Sequence, residues 1–266
     1  MSKHIVALFA VLIVSIALVG FMGDYFNGND NDVDGVENGG EEETDPYGNL
    51  PDILTFLTER SDQFIVDISD ICDGHPFKGE NANAPHQGAH VHFENFLNTW
   101  PKGSDVPENY PPIYAPVDGI ISRVDYNYSV GWHERYGIDL AFARDSNGSV
   151  YFLCYSIEPM VMEPSDDFYR DFILVSLEQK VKKGDVIAYM YTPPGMGFGI
   201  HIHFHIMKTD CGDFMAPAIF NSTLVDEFYA KWNLFASDGG DLMLPCMGYK
   251  LKAHENPFGT GAVEIL

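Results

Sequence analysis

Three histidines late in the chain have a spacing that suits metal chemistry. His201, His203 and His205 alternate with apolar residues between positions 200 and 206. A β-strand directs alternate side chains to one face, so the three imidazoles are predicted to share a face, about 6–7 Å apart. At that separation one imidazole can bind a metal ion while its neighbour handles a proton. The alternative is an edge strand whose polar face meets solvent.

An earlier cluster holds His86, His90 and His92. His86 and His90 are four residues apart, and His90 and His92 can share a strand face. Catalytic zinc takes three protein ligands and keeps one position for water, a count met by two imidazoles from this cluster and one from the later cluster. A flexible loop with scattered polar residues is the alternative. The remaining histidines are isolated in sequence and expected on the surface: His4, His75, His133 and His254.

The elements that must position these side chains are predicted to be mainly β-strands. The candidate strands are short, rich in Ile, Val, Phe and Tyr, and bounded by turn residues; they cover 119–128, 136–144, 149–156, 186–191 and 199–207. Asn147-Gly148 predicts a hairpin between two of them. Helices are predicted only at 165–172 and 223–235, so the pattern favours one mainly antiparallel β domain.

Several motifs, taken in order, resemble those of the lysostaphin-type (LytM-like) zinc metallopeptidases. Residues 86–90 (His-Gln-Gly-Ala-His) resemble the family's His-x-Gly-x-Asp stretch, and residues 201–204 (His-Ile-His-Phe) resemble its His-Leu-His-Phe strand. Other stretches resemble an Ala-Pro-x-Asp-Gly strand entry, a Val-x-x-Gly hairpin, a Gly-rich loop and the closing Asp-Pro segment: 114–121, 181–187, 192–199 and 215–220. The resemblance covers roughly residues 86–220. It implies an antiparallel β-sandwich of the barrel-sandwich hybrid type, the duplicated hybrid motif.

The resemblance also implies a site. One zinc ion would be held by His86, His90 and His203, with His201 as a catalytic residue. His90 replaces the family's Asp ligand, and an all-imidazole site still acidifies bound water. Where the family has a second catalytic His, this chain has Tyr155, which is expected to assist as a hydrogen-bond donor because a phenol with a pKa near 10 is a poor base. His92 or His205 replacing one of these ligands stays open.

The function implied by the resemblance is hydrolysis of a peptide or amide bond in a cell-wall or surface polymer such as peptidoglycan. A catalytically degenerate member, acting as a metal-binding or wall-binding structural module, is the first alternative. A lipoyl-like carrier module is the second, because such modules share the Ala-Pro-x-Asp-Gly and Gly-Asp-x-Ile signals. Its only nearby attachment candidates are Lys182 and Lys183.

The N-terminal sequence predicts the compartment. Residues 5–22 form an apolar run without a charge, so residues 1–23 are predicted to be a single transmembrane signal anchor, or a cleaved signal segment, with the rest of the chain extracytoplasmic. Residues 24–52 are an acidic sequence typical of a disordered linker. They precede a peptidase-like β domain at 53–220 and a C-terminal extension with one helix at 221–266.

Charge and cysteine content fit this placement. The net charge of −24 argues against a nucleic-acid partner, because phosphates need cationic neutralisation. The four cysteines allow up to two disulfides in an oxidising compartment. Cys211 and Cys246 flank the C-terminal helix and are predicted to pair.

Overall fold

The computed structural model describes residues 45–75, 77, 88–93, 100–130, 133–161, 168–194, 199–209, 211–231, 247 and 258. The predicted anchor, the ligand His86 and Cys246 lie outside these residues, and the Cys211 side chain is not described either. In the described part of the chain, no helix is long and apolar enough to cross a membrane.

Antiparallel strands dominate the described residues. The strands are β1 (Asp73–His75), β2 (Ala89–Phe93), β3 (Pro112–Tyr114), β4 (Gly119–Val130), β5 (His133–Arg144), β6 (Val150–Glu158), β7 (Lys180–Val181), β8 (Val186–Tyr189), β9 (Ile200–Lys208) and β10 (Cys211–Met215). The main sheet has the order β1-β2-β9-β6-β5-β4-β7, with β10 also paired to β9, and β3 pairs with β8 in a separate ribbon. The predicted mainly antiparallel β fold is confirmed at this level.

The sequence prediction of helices is met in one place. The helix α1 spans Ser222–Lys231 and overlaps the segment predicted to be helical at 223–235. The other predicted helix, at 165–172, is described only from residue 168, where a short 3₁₀ turn covers Arg170–Phe172.

Strand β9 lies inside the sheet and separates two environments. Ile200, Ile202, Phe204 and Ile206 are at most 1% exposed and belong to the hydrophobic core. The alternate residues are the histidines, which point to the opposite face. The ring of Phe228 in α1 packs 6.4 Å from that of Phe204. The helix thus packs against the apolar side of the strand that carries the histidines.

Candidate metal centre

Strands β2 and β9 bring four histidines together on one sheet face. Their antiparallel register sets His90 opposite His203 and His92 opposite His201. Residues two apart on one strand share a face, so these side chains form a two-by-two array. We call His90, His92, His201 and His203 the histidine grid.

Carboxylates lie at both ends of one row of the grid. On one side, β1 sets Asp73 opposite His92. On the other side, β6 sets Glu158 opposite His201. The row therefore has a carboxylate at each end and two imidazoles between them, with one residue from each of four adjacent strands.

Three ring nitrogens of the grid converge. The Nε2 atom of His203 lies 3.1 Å from Nε2 of His90 and 2.8 Å from Nε2 of His201. Donor atoms of these three residues lie within 4.8 Å of one another. Two nitrogens bound to the same tetrahedral zinc would be about 3.3 Å apart, from zinc–nitrogen bonds of about 2.0–2.1 Å.

Backbone carbonyls fix which nitrogen of two imidazoles faces the centre. Nδ1 of His90 lies 3.1 Å from the Gly88 oxygen, and Nδ1 of His201 lies 2.5 Å from the Gly199 oxygen. A carbonyl oxygen only accepts, so in a neutral ring Nδ1 donates its hydrogen and Nε2 keeps a lone pair. Metal-binding histidines are oriented in this way.

Glu158 adds a carboxylate to the same point. Its oxygens lie 2.8 Å from Nε2 of His203 and 3.3 Å from Nε2 of His201. Arg135 of β5 forms an ion pair with it, with Nε 2.9 Å from Oε1. Burial alone would raise the pKa of Glu158, but the neighbouring His201 and His203 rings outweigh burial and hold the pKa well below its ordinary value.

The cluster of His90, His201, His203 and Glu158 has few protons, which favours the binding of a metal cation. Burial, followed by the neighbouring His203, lowers the pKa of His90 well below its ordinary value. Burial also lowers the pKa of His203 to about 3, although its hydrogen bond to Glu158 opposes this. A neutral His203 with its proton on Nε2 has one hydrogen for three neighbouring acceptors. These acceptors are the Nε2 lone pairs of His90 and His201 and the carboxylate of Glu158. A divalent metal ion can bind all of these lone pairs at once, so these ligand atoms fit zinc.

The predicted site residues are divided by the sheet. His90, His201 and His203 come together in the grid, whereas Tyr155 faces the opposite side. Its ring is buried opposite Phe204, and its hydroxyl donates to the Tyr114 oxygen over 2.9 Å. The expectation that Tyr155 lines the site is corrected, because alternation in β6 directs the residues flanking Tyr155 toward the grid and the phenol into the core.

Other histidines also differ from expectation. His75 was expected on the surface, but it is 2% exposed and its ring centroid lies 3.8 Å from that of His90. His205 lies on the grid side of β9, opposite Cys154, outside the converging set. Burial, and next the charge of Arg123, lowers the pKa of His205 to about 3.

Glu158 and Asp73 are the candidate functional residues that the sequence interpretation missed. The predicted strand ended at 156, two residues before Glu158, although β6 continues to that residue. Extending the alternation from Cys154 through Ser156 would have placed Glu158 on the grid face. Asp73 carries no comparable signal, because β1 has only three residues.

Comparisons with known proteins give limited information. No protein-family model and no curated protein matches the chain. Among solved structures, LytU is 23% identical over 58% of this chain and 85% of its own, with a TM-score of 0.31. Lysostaphin, solved by NMR, is 16% identical over 66% of this chain and 57% of its own, with a TM-score of 0.30. Scores this low do not establish a shared fold, so function must be inferred from the site itself.

Proposed function

We propose that this chain is a zinc-dependent hydrolase that cleaves a peptide or amide bond in a cell-wall or surface polymer such as peptidoglycan. The observation that carries the proposal is the convergence of three imidazole Nε2 atoms and the Glu158 carboxylate. The sequence motifs support the same proposal, including the duplicated hybrid motif architecture. We further propose that an N-terminal anchor holds the site outside the membrane.

In this proposal, His90, His201 and His203 hold a single zinc ion. His201 was predicted as the catalytic imidazole, but its Nε2 lies among the ligand atoms, so we propose ligation for it instead. The ligand role of His86 stays a prediction. Three ligands leave a position for water, which zinc acidifies when it is bound.

Glu158 is the residue best placed to handle the proton of that water. Its Oε2 faces His201, while Oε1 contacts His203 and Arg135. Arg135 restrains the carboxylate, so that Oε2 can accept the proton at a fixed position and release it to the leaving nitrogen. Glu158 takes the proton-handling role that the sequence interpretation had given to His201.

A second candidate function is metal or polymer binding without turnover. One observation favours it: the Glu158 side chain is only 2% exposed and is ion-paired with Arg135. A buried carboxylate with a lowered pKa is a weak base. Such a centre would hold a metal ion and stabilise the strands around it.

The carrier alternative is disfavoured because it leaves the histidine grid without a role. Its candidate lysines form exposed ion pairs: Lys182 Nζ lies 2.8 Å from Asp118, and Lys183 Nζ lies 2.6 Å from Asp62. Such pairs are weak and leave both amines accessible, so the lysines themselves do not decide against a carrier.

The test combines metal analysis with a cleavage assay on the complete 266-residue chain. We expect about one zinc per chain, lost in His203→Ala and retained in His205→Asn, a control on the same strand face. Cleavage of isolated wall polymer would be followed by mass spectrometry of the new amine termini. Zinc without cleavage would favour the second candidate. A wild type that binds no metal would contradict the hydrolase proposal, and one that also fails to bind the polymer would contradict both.

A further inference from the structure

His92 is the fourth corner of the grid, and its outer nitrogen is also held by an oxygen. Nδ1 of His92 lies 2.5 Å from Oδ1 of Asp73. A carboxylate accepts a hydrogen from Nδ1 and leaves the lone pair of a neutral ring on Nε2. Three grid imidazoles thus share one arrangement, with Nδ1 turned to an oxygen atom. The oxygen is a carbonyl for His90 and His201 and a carboxylate for His92.

The ring spacings around His92 suit a shared ion. Its ring centroid lies 5.4 Å from that of His201 and 5.9 Å from that of His90. The centroids of His90 and His201 are 5.6 Å apart. Two imidazoles bound through Nε2 to one tetrahedral zinc place their centroids about 5 Å apart, given zinc–nitrogen bonds of about 2.0–2.1 Å. The three spacings are nearly equal and exceed this value by less than about 1 Å. The donor atoms that already lie within 4.8 Å of one another are those of His90, His201 and His203, so His92 would have to turn inward to join them.

We infer that His92 is a further ligand of the metal centre and that Asp73 orients it. The inference rests on the proposed metal centre and changes its composition from three imidazoles to four. All four side chains project from one face of the sheet, so they approach the ion from the same side. A fifth position, for water, would have to come from the side away from the sheet.

Charge balance supports this role for Asp73. In the resemblance described above, His90 replaces a carboxylate ligand and so removes a negative charge beside the ion. Asp73 restores a negative charge near the ion, because its carboxylate accepts a hydrogen bond from the proposed ligand His92. Together with Glu158 at the other end of the row, it provides two carboxylates near a divalent cation. A carboxylate behind a ligating imidazole raises the basicity of that ligand.

The competing explanation is that the Asp73–His92 pair only ties β1 to β2. The two explanations differ in what they predict for a folded protein. A structural tie affects the stability of the metal-free chain but not its metal affinity. A ligand and its orienting residue affect the affinity measured on protein that is already folded.

The experiment measures Co²⁺ and Zn²⁺ affinity of the complete chain by competition with a chromophoric chelator. We expect Asp73→Asn, which keeps the size of the side chain, to weaken binding about 10–100-fold, the usual effect of removing an outer-shell partner. His92→Ala should weaken binding further and change the visible spectrum of the Co²⁺-loaded protein. His205→Asn should match the wild type. Far-UV circular dichroism of each metal-free variant verifies that it is folded.

Each outcome decides between the claims. If His203→Ala loses metal while both His92→Ala and Asp73→Asn bind as the wild type does, His92 is not a ligand and the proposed metal centre survives. If all three variants lose affinity but the wild type cleaves no polymer, the inference stands and the hydrolase proposal fails. If the wild type binds neither ion, both claims are overturned.

Discussion

Each of three imidazoles in the histidine grid has its outer nitrogen turned to an oxygen atom. Two of these oxygens are carbonyls of residues two positions earlier, Gly88 and Gly199, so the local chain itself sets the ring orientation of His90 and His201. Glu158 then occupies the space between neighbouring rings, where its charge is shared among two imidazoles and Arg135. The chemistry of the centre depends on these oxygens as much as on the rings.

Replacing Glu158 with Gln should both destabilise the metal-free protein and weaken metal binding. The substitution leaves the guanidinium of Arg135, 13% exposed, without its charged partner. Breaking one side of a buried ion pair costs about 3–5 kcal/mol. Denaturant unfolding of the metal-free chain measures the loss, and zinc content measures the effect on the centre. Exposed Glu227→Gln is the control, expected to change stability by less than about 0.5 kcal/mol.

Replacing Tyr155 with Phe should cost stability without affecting metal. The hydroxyl donates to the Tyr114 oxygen on the core side of the sheet. Its removal leaves a buried carbonyl short of one hydrogen bond, a loss of about 1 kcal/mol. Thermal or denaturant unfolding gives the change in stability, and zinc analysis gives the metal content. A variant that unfolds normally but loses zinc would show that Tyr155 does act at the centre.

At the scale of secondary-structure elements, β9 fixes the position of the metal centre because each of its two faces has its own set of contacts. One face supplies apolar side chains to the core, and the other supplies three histidines. A register slip of one residue would turn imidazoles into the core and isoleucines toward the grid, so the pairing with β2 and β6 is strongly specified. Strand β1 is different, because only three residues hold Asp73 beside His92.

Replacing Gly74 with Ala should displace β1. A Cβ at this position would lie 2.4 Å from the His90 oxygen and 2.9 Å from a ring carbon of Phe228. Overpacking of this kind costs about 1–3 kcal/mol. We therefore expect lower stability and, through the movement of Asp73, weaker metal binding.

The matched control is Gly137→Ala in β5. The nearest atoms to a Cβ there all belong to side chains, those of Arg123 at 3.2 Å and Asp125 at 3.4 Å, with no backbone atom among them. Denaturant unfolding and chelator competition on both variants test the prediction. Equal effects of the two substitutions would argue against a special constraint at Gly74.

At the scale of the whole molecule, the described domain holds its own core. Its buried apolar residues run from Ile53 to Phe258 and come from the sheet, the β3–β8 ribbon, α1 and residues outside these elements. Residues 24–44 carry acidic side chains and no Lys or Arg. The whole chain carries a net charge of −24, and a charge far from zero favours solubility through mutual repulsion.

Removing residues 1–23 should therefore yield a soluble domain that keeps its metal. We expect the truncated chain to unfold at the same temperature as the complete chain in detergent, within the usual scatter, because the buried apolar residues of the described core begin at Ile53. Calorimetry and zinc analysis of the two forms provide the comparison. Aggregation of the truncated chain, with a folded complete chain in detergent, would assign the N-terminal segment a role beyond anchoring.

Local patterns by themselves determined much of this protein. Alternation of apolar and polar residues predicted the strand at 199–207 and the shared face of His201, His203 and His205, because the two-residue period of a strand is a property of the backbone. The hairpin at Asn147-Gly148 joins β5 and β6 as predicted. These features depend on residues that are close together in the sequence, so the sequence alone predicts them.

Only the tertiary structure decided which residues complete the centre. Asp73 and Glu158 reach the grid through strand pairings with β2 and β9, in which the partners are far apart in sequence. Tyr155 was misplaced for the same reason, since its face follows from the register of β6 against β9. Register between distant strands is set by burial of the whole core and not by local propensity. The two-residue period of a strand determined which side chains share a face. The pairing of strands in the folded sheet determined which of those side chains contact one another.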